Sequence, residues 1–270
     1  MSEDDQRKID RSFKLNFNKE AGRNQRLVAS SCAGISRRQA ILESLSIGAD
    51  YKIIDVGCGA GYLVEELSKA LGDEGRVFAL DPSEDQLEEA RNRCSGFSNV
   101  TFFQGFADDI ELENDACDVV TSTQAFEYIK DVDKALAEST RVLKPGGAFV
   151  NVSILWDYFR FYGAEEKLNN RIHEAFRAHC HHQMLPMEMD GKLRALGYRY
   201  ITNRSLAFLI TRRDQNSPAR YLEAMVASFA VSQGISESEV NDWKRQLVYA
   251  ETNGRFGFTS YPVLTSAYLK

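Results

Sequence analysis

Three glycines at alternate positions follow a short apolar run and an acid in the stretch Ile53-Ile54-Asp55-Val56-Gly57-Cys58-Gly59-Ala60-Gly61-Tyr62. Glycine at this spacing lets the backbone turn sharply and approach a ligand with no side chain in the way. The amides that open the following helix can then face that ligand. Downstream, Val77-Phe78-Ala79-Leu80-Asp81 ends in a carboxylate, where an acid can bind both hydroxyls of a ribose. The two segments together describe a site for a nucleoside-containing cofactor. The bland alternatives are a tight turn with no ligand at Gly57, Gly59 and Gly61, and a helix-capping role for Asp81, because Asp81-Pro82-Ser83 also begins a helix.

Other residues could carry chemistry further along. His173, His179, His181 and His182 cluster around Cys180. On a helix, consecutive residues point in different directions, so this pattern does not converge on a metal and none is expected. A single histidine, His182, reaching a pocket as general base is the sharper reading, and surface exposure the bland one. The aromatic run Trp156 to Tyr162 is either core or a lid; its position after a strand favours a lid, with Trp156 and Tyr158 touching substrate. Glu127 fits a solvated helix face as well as a pocket acid.

The elements that must hold these residues alternate. Tyr51–Val56, Val77–Leu80, Val100–Phe103, Asp118–Thr121 and Ala148–Ser153 read as strands. Helical patterns over Tyr62–Leu71, Glu84–Cys94 and Val132–Val142 fall between them, and Ser83 is a natural N-cap for the second. Such alternation predicts an α/β fold, a doubly wound Rossmann-like sheet of seven mostly parallel strands with helices on both faces. Before it, residues 12–47 carry helical spacing (Leu27, Val28, Ile35, Ile41, Leu42, Leu45). After it come helices through about residue 182, over Leu185–Leu196, and near 218–232 and 237–252, the last opening with the capping box Ser236-x-x-Glu239. Tyr198–Ile210 and Phe256–Leu269 read as the two arms of a C-terminal antiparallel hairpin interrupted by helical insertions. Three regions result: residues 1–49 as a helical cover, 50–155 as the cofactor-binding core, and 156–270 as the remainder with acceptor-site insertions.

Bulk properties narrow the partners. The 270 residues are 43% hydrophobic and 27% charged, an ordinary globular balance, and the net charge of -6 gives no help in holding a polyanion. Nucleic acid is therefore not the expected partner. Five scattered cysteines suit reduced thiols rather than a disulfide framework. The acidic start Met1-Ser2-Glu3-Asp4-Asp5 lacks a signal-peptide core, and no apolar run is long enough to span a bilayer. A cytoplasmic protein without membrane association is the expectation.

Four motifs in order carry a family resemblance over most of residues 50–155: the G-x-G-x-G turn, Gly105-Phe106-Ala107-Asp108-Asp109-Ile110, Phe126-Glu127-Tyr128-Ile129, and Arg141-Val142-Leu143-Lys144-Pro145-Gly146-Gly147. Together they resemble class I S-adenosylmethionine-dependent methyltransferases, in the branch of quinone-biosynthesis C-methyltransferases and small-molecule enzymes. The resemblance implies S-adenosylmethionine as cofactor, bound by Asp55, Gly57, Gly59, Gly61, Asp81, Phe106, Ala107, Asp108 and Gln124. It places Gln124 where the methionine end of the cofactor meets the acceptor. Phe106 stands where the family usually has an acid for the adenine amino group, so Asp108 and the Ala107 amide inherit that task. No N-P-P-Y-like tetrad follows the fourth strand, which disfavours methylation of base amino groups. No acidic pair stands there to hold Mg²⁺ either. The implied activity is in-line methyl transfer to a small-molecule acceptor through O, N or C. A protein or RNA methyltransferase and a non-catalytic S-adenosylmethionine-binding module are the rival readings.

Overall fold

The computed structural model describes residues 19–214 and 217–270. Residues 1–18, where the sequence pattern begins the N-terminal cover, lie outside that range. Two helices, α1 (Lys19–Ser30) and α2 (Cys32–Ser44), lead into five parallel strands: β1 (Lys52–Val56), β2 (Arg76–Asp81), β3 (Val100–Gln104), β4 (Cys117–Thr123) and β5 (Leu143–Ile154). Helices α3 (Tyr62–Ala70), α4 (Glu84–Arg93) and α5 (Val132–Val142) connect them. The rest of the chain contributes β6 (Arg160–Tyr162), α6 (Glu166–Arg177), α7 (Leu185–Ala195), β7 (Tyr198–Ser205), β8 (Phe208–Ile210), α8 (Pro218–Ser232), α9 (Glu237–Thr252), β9 (Gly257–Ser260) and β10 (Pro262–Leu269).

The main sheet has seven strands in the order β3-β2-β1-β4-β5-β10-β7, with β10 antiparallel to both neighbours. This is the doubly wound Rossmann-like fold expected. Strand period two explains its two cores: Ile53, Val119 and Val150 enter one face with Ile41, Leu63 and Leu67, while their sequence neighbours Ile54, Val120 and Phe149 enter the other with Leu136, Leu185 and Met189. Because β2 and β4 flank β1 on opposite sides, the chain reverses direction across the sheet there, which opens a crevice beyond the carboxyl ends.

A third core is aromatic and lies off the sheet. Trp156, Phe159, Phe161, Phe176, Trp243 and Phe258 pack together beneath α6, α8 and α9, and the Trp243 indole donates to Asn169 Oδ1 at 2.8 Å. That core corrects two expectations. Tyr198–Ile210 and Phe256–Leu269 are not single strands: each breaks, so that β7 and β10 stay in the main sheet while β8 and β9 join β6 in a three-stranded sheet. Burial of Phe208, Phe258 and Phe161 against the helices pulls the strands out of the first sheet and into the second. The helix expected to run through about residue 182 ends at Arg177, because His179 N bonds back to Phe176 O and the chain turns. The strand expected over Ala148–Ser153 begins earlier, Lys144–Gly147 forming the bulged start of β5 with Gly146 at φ 80°.

Candidate functional site

At the crevice, the three motif glycines divide the work. All have positive φ: 73° at Gly57, 52° at Gly59 and 75° at Gly61. A Cβ on Gly57 would lie 2.3 Å from Ala125 Cβ, and one on Gly61 would lie 2.9 Å from Ala90 Cβ. Those two glycines let the turn press against the β4 exit and α4. A Cβ on Gly59 would meet nothing nearer than 4.0 Å, where Gln25 Nε2 and Gln86 Oε1 lie. Only Gly59 leaves room for a ligand.

Asp81 braces this turn. Its Oδ2 accepts from Gly59 N and its Oδ1 from Ser83 N, both at 2.9 Å. Burial raises its pKa to about 6 against the pull of those two bonds. The capping and ligand-binding readings are therefore compatible, since a carboxylate accepts at about four lone-pair positions and two are used. Asp55 reaches the crevice from the end of β1, with Thr121 Oγ1 donating to its Oδ1 at 2.9 Å. Burial pushes its pKa to about 7, the Thr121 bond opposing and the nearby Asp81 charge adding.

Gln124 follows β4 with φ 55°, a left-handed conformation rare outside glycine and concentrated at functional sites. Its amide N donates to Val152 O at 2.7 Å, and its Oε1 accepts from Arg37 Nη1. Arg37, on α2, is only 4% exposed, and burial lowers its pKa to about 10 while Glu127 and Tyr128 act the other way. Glu127 is buried behind the crevice wall: Ser153 Oγ donates to its Oε2 at 2.9 Å and Ile154 N to its Oε1 at 3.3 Å. Its pKa rises to about 7 from burial, with those bonds and Arg37 opposing. It is neither on a solvated face nor on the cleft lining.

The cleft encloses about 1110 Å³, part of it open to solvent. Asp55, Gly59, Gln86, Thr123, Gln124 and Arg37 line its polar end; Val28, Ile154, Trp156, Phe159, Leu222 and Met225 line its apolar end. Four buried polar atoms on this lining have no partner among the described residues: Arg37 Nε, Gln86 Oε1, Thr123 Oγ1 and Trp156 Nε1. Buried polar groups without partners are costly, so three at the polar end and one on Trp156 mark a place for a polar ligand. A carboxylate, an open glycine and stranded donors and acceptors fit the nucleoside and amino-acid ends of S-adenosylmethionine.

The structure brings together Asp55, Gly57, Gly59, Gln124 and Trp156 on the lining, with Asp81 and Gly61 just behind. It does not bring the others there. Phe106, Ala107 and Asp108 are off the lining: Phe106 bridges to Asp109 and Asp108 pairs with Lys134 at 3.6 Å, although Gly105 N bonds Asp81 O at 3.3 Å and starts the segment beside the site. Tyr158 is 53% exposed with its ring against Tyr261. His182 is held away from the cleft by its Nε2, which donates to Ile129 O at 2.9 Å, and its own amide, which donates to Glu127 O at 3.1 Å. Among the lining residues that escaped the sequence reading are Arg37, Gln86, Gln25, Thr123, Leu222 and Met225. Only Arg37 left a signal, a charge on the apolar stripe of α2, four residues from both Ala33 and Ile41.

Comparison with known proteins agrees with the geometry. Residues 47–221 match the methyltransferase domain family. A demethylmenaquinone methyltransferase of Staphylococcus carnosus is 36% identical over 113 residues, 42% of this chain and 47% of that protein. An uncharacterised 37.1 kDa protein of a Streptomyces fradiae transposon is 32% identical over 130 residues, 48% of this chain and 38% of that protein. The matched segments thus span under half the length of these curated relatives. Among solved structures, the YcgJ protein of Bacillus subtilis superposes with a TM-score of 0.61 at 20% identity, covering 87% of this chain and 98% of that one. Geranyl diphosphate C-methyltransferase of Streptomyces coelicolor gives 0.56 at 17% identity, covering 88% and 79%. These two share the fold. With the family match extending from before the glycine turn to the start of α8, the chain belongs to the methyltransferase domain family.

Proposed function

We propose that the protein transfers a methyl group from S-adenosylmethionine to a small, apolar acceptor. The observation that carries this reading is one continuous cleft with a polar end built on the glycine turn and an apolar end walled by Trp156, Phe159, Leu222 and Met225. The resemblance to a demethylmenaquinone methyltransferase supports it. When bound, the sulfonium supplies an already activated methyl group, so the protein's task is placement. Gly59 admits the nucleoside, Asp81 offers its remaining lone pairs to the ribose, and Asp55 and Gln124 fix the amino-acid end. Holding two reactants in line supplies about 7–11 kcal/mol of a barrier. The apolar wall excludes water and seats a flat acceptor by burial.

Among the described residues, the lining holds no histidine, lysine or glutamate, and Asp55 is its sole carboxylate. An acceptor that reacts here brings its own nucleophile, as an acidic oxygen or carbon already deprotonated in solution or an amine already neutral. Phe106 and Asp108 remain proposed for adenine, next to the segment that Gly105 anchors on Asp81. Titration calorimetry with S-adenosylmethionine and S-adenosylhomocysteine tests the cofactor. Labelled S-adenosylmethionine with three acceptor panels tests the rest: flat apolar acids, aliphatic amines, and peptides or RNA. Micromolar cofactor binding with turnover on the first panel is expected. Absence of binding overturns the cofactor reading, and turnover confined to the peptide or RNA panel overturns the acceptor class.

A further inference from the structure

Two adjacent arginines on α2 have opposite fates. Arg38 is paired: its Nε meets Glu66 Oε1 at 2.8 Å and its Nη1 donates to Ala29 O at 2.6 Å. Arg37 is as deeply buried, yet no carboxylate lies within 4.0 Å of its guanidinium nitrogens among the described residues, and its Nε has no partner there. Its Nη1 donates to Gln124 Oε1, and the side chain lines the cleft. The groups near enough to act on its charge are Glu127 and Tyr128, both after β4, whereas Asp55 answers to Asp81. Glu127 is a weak counter-charge: its oxygens accept from Ser153 Oγ and Ile154 N, and burial raises its pKa to about 7. Tyr128 lines the cleft with its ring 6.5 Å from that of Trp156, at the apolar end. Arg37 therefore stands where the polar end passes into the apolar one. A buried cation without its own anion is expensive unless a bound group supplies the counter-charge.

The apolar end holds a second unmet donor. Trp156 Nε1 is buried without a partner among the described residues, and an indole N–H can only donate. Its ring is wedged against Phe159 at 5.1 Å and Phe176 at 6.0 Å between centroids. Two stranded donors, one of them charged, call for a ligand that is anionic and carries oxygens, while the walls around them call for a flat apolar body. We propose that Arg37 selects the acceptor, and that this acceptor is the anion of a flat conjugated hydroxy-carbonyl compound, its charge held by Arg37 and a second oxygen by Trp156 Nε1. This class of acceptor rests on the methyl-transfer reading of the cleft given above. Conjugation is essential, because an oxygen clamped by a guanidinium is a poor nucleophile and the charge must also reach an atom able to attack. That oxygen or carbon forms a bond to the methyl carbon with its own electron pair. The carbon–sulfur bond breaks, and its pair stays on sulfur. Sulfonium and anion become two neutral products, with no proton moved by the protein. The methylated product has lost the charge that Arg37 held, which favours its release.

Two probes of matched shape separate the possibilities in calorimetric titrations of protein saturated with S-adenosylhomocysteine. They are 4-hydroxycoumarin, a conjugated hydroxy-carbonyl ionised at neutral pH, and coumarin, which has the same rings and no acid. Wild-type protein is expected to bind the anion about tenfold to a hundredfold more tightly, the range for a charge-assisted bond. Arg37→Met removes that preference and leaves the affinity for coumarin within about threefold. Arg37→Lys, which keeps the charge and loses the fork, falls between. Trp156→Phe keeps an aromatic ring, loses the donor and weakens the anion about threefold to tenfold; an unchanged affinity removes the indole from the assignment. Equal affinity of wild type for the two probes overturns the acceptor class while leaving the apolar chamber standing, and this comparison needs no folded variant. A loss in Arg37→Met that is equal for both probes also overturns it, as damage to the site at large. If wild-type protein binds S-adenosylhomocysteine but neither probe, the apolar acceptor chamber fails and the acceptor class with it; if S-adenosylhomocysteine itself does not bind, it is the cofactor reading that fails.

Discussion

The two ends of the cleft are built on different principles. The polar end comes from residues close in sequence: a glycine turn, the acid two positions before it, and an acid one strand later. The apolar end is assembled from α1, the stretch after β5, and α8, brought together by the aromatic core. Local turn chemistry fixes the first, whereas only tertiary packing fixes the second. The first end should therefore respond to charge and backbone changes, and the second to side-chain volume.

The largest expected effect is on the polar end and is set by pH. Asp55 and Asp81, with pKa values of about 7 and about 6, hold protons in the folded protein that the unfolded chain has lost above about pH 4. Ligand-free stability is thus greatest at low pH within the native range and falls as pH rises from about 4 to about 7, each group contributing up to about 1.4 kcal/mol per pH unit. Urea titrations from pH 5 to pH 8 should show the decline, and Asp55→Asn should make it shallower, with Asp81 and Glu127 still contributing. Stability that climbs over that range would break the comparison. Binding of a ligand ammonium at Asp55 should release a proton near pH 6.5, visible as a buffer-dependent heat.

Next in size, Gly57→Ala combines a left-handed φ with a clash on Ala125, and should cost about 3 kcal/mol or more in denaturant. Glu127→Ala strands the Ser153 hydroxyl and the Ile154 amide and should cost about 1–3 kcal/mol. Gly59→Ala sharpens the contrast within the turn. Its Cβ has space, so stability should drop by only about 1–2 kcal/mol from backbone strain. Calorimetry should nonetheless show S-adenosylhomocysteine binding weakened at least about tenfold, near 1.4 kcal/mol. Smallest is Met225→Ala on the apolar end. It should leave S-adenosylhomocysteine affinity within about twofold and raise the KM of an apolar acceptor.

The sequence displayed the glycine turn and its flanking acids because each residue there is dictated by its neighbours, but not Gln25, Arg37 or Gln86, which only packing brings to the polar end. Gly57, Gly59 and Gly61 stand at a strand-to-helix turn, and Asp55, Asp81 and Gln124 at or beside strand ends. Arg37 was hidden because its partner Gln124 lies 87 positions away. On the apolar end, Trp156 reaches the cleft while Tyr158, two residues on, faces solvent, because a 3-10 turn over Trp156–Tyr158 interrupts the extended chain. His182 was misplaced by a helix that stops five residues earlier than its charge pattern implied: the His179 amide turns back to the Phe176 carbonyl, and the amides of His181 and His182 are taken by the Glu127 carbonyl, far off in sequence. The C-terminal strands were split for a similar reason: the aromatic core, not the strand pattern, decides where they leave the main sheet.

The split strands have an engineering consequence. The chain leaves the small sheet at the end of β8 and re-enters it at the start of β9, and these strands are paired, Ile210 opposite Phe258. The ends of the intervening helical insert are therefore adjacent. A segment whose ends already meet can be exchanged for one of different length with little change in loop-closure entropy and no shift of register in either sheet. Since α8 supplies Leu222 and Met225 to the cleft, that insert is a cassette: replacing it would recast the apolar end of the cleft while the glycine turn, Asp55 and Asp81 stay where they are. On the proposed function, acceptor choice in this architecture can diversify by graft, independently of the residues assigned to the methyl donor.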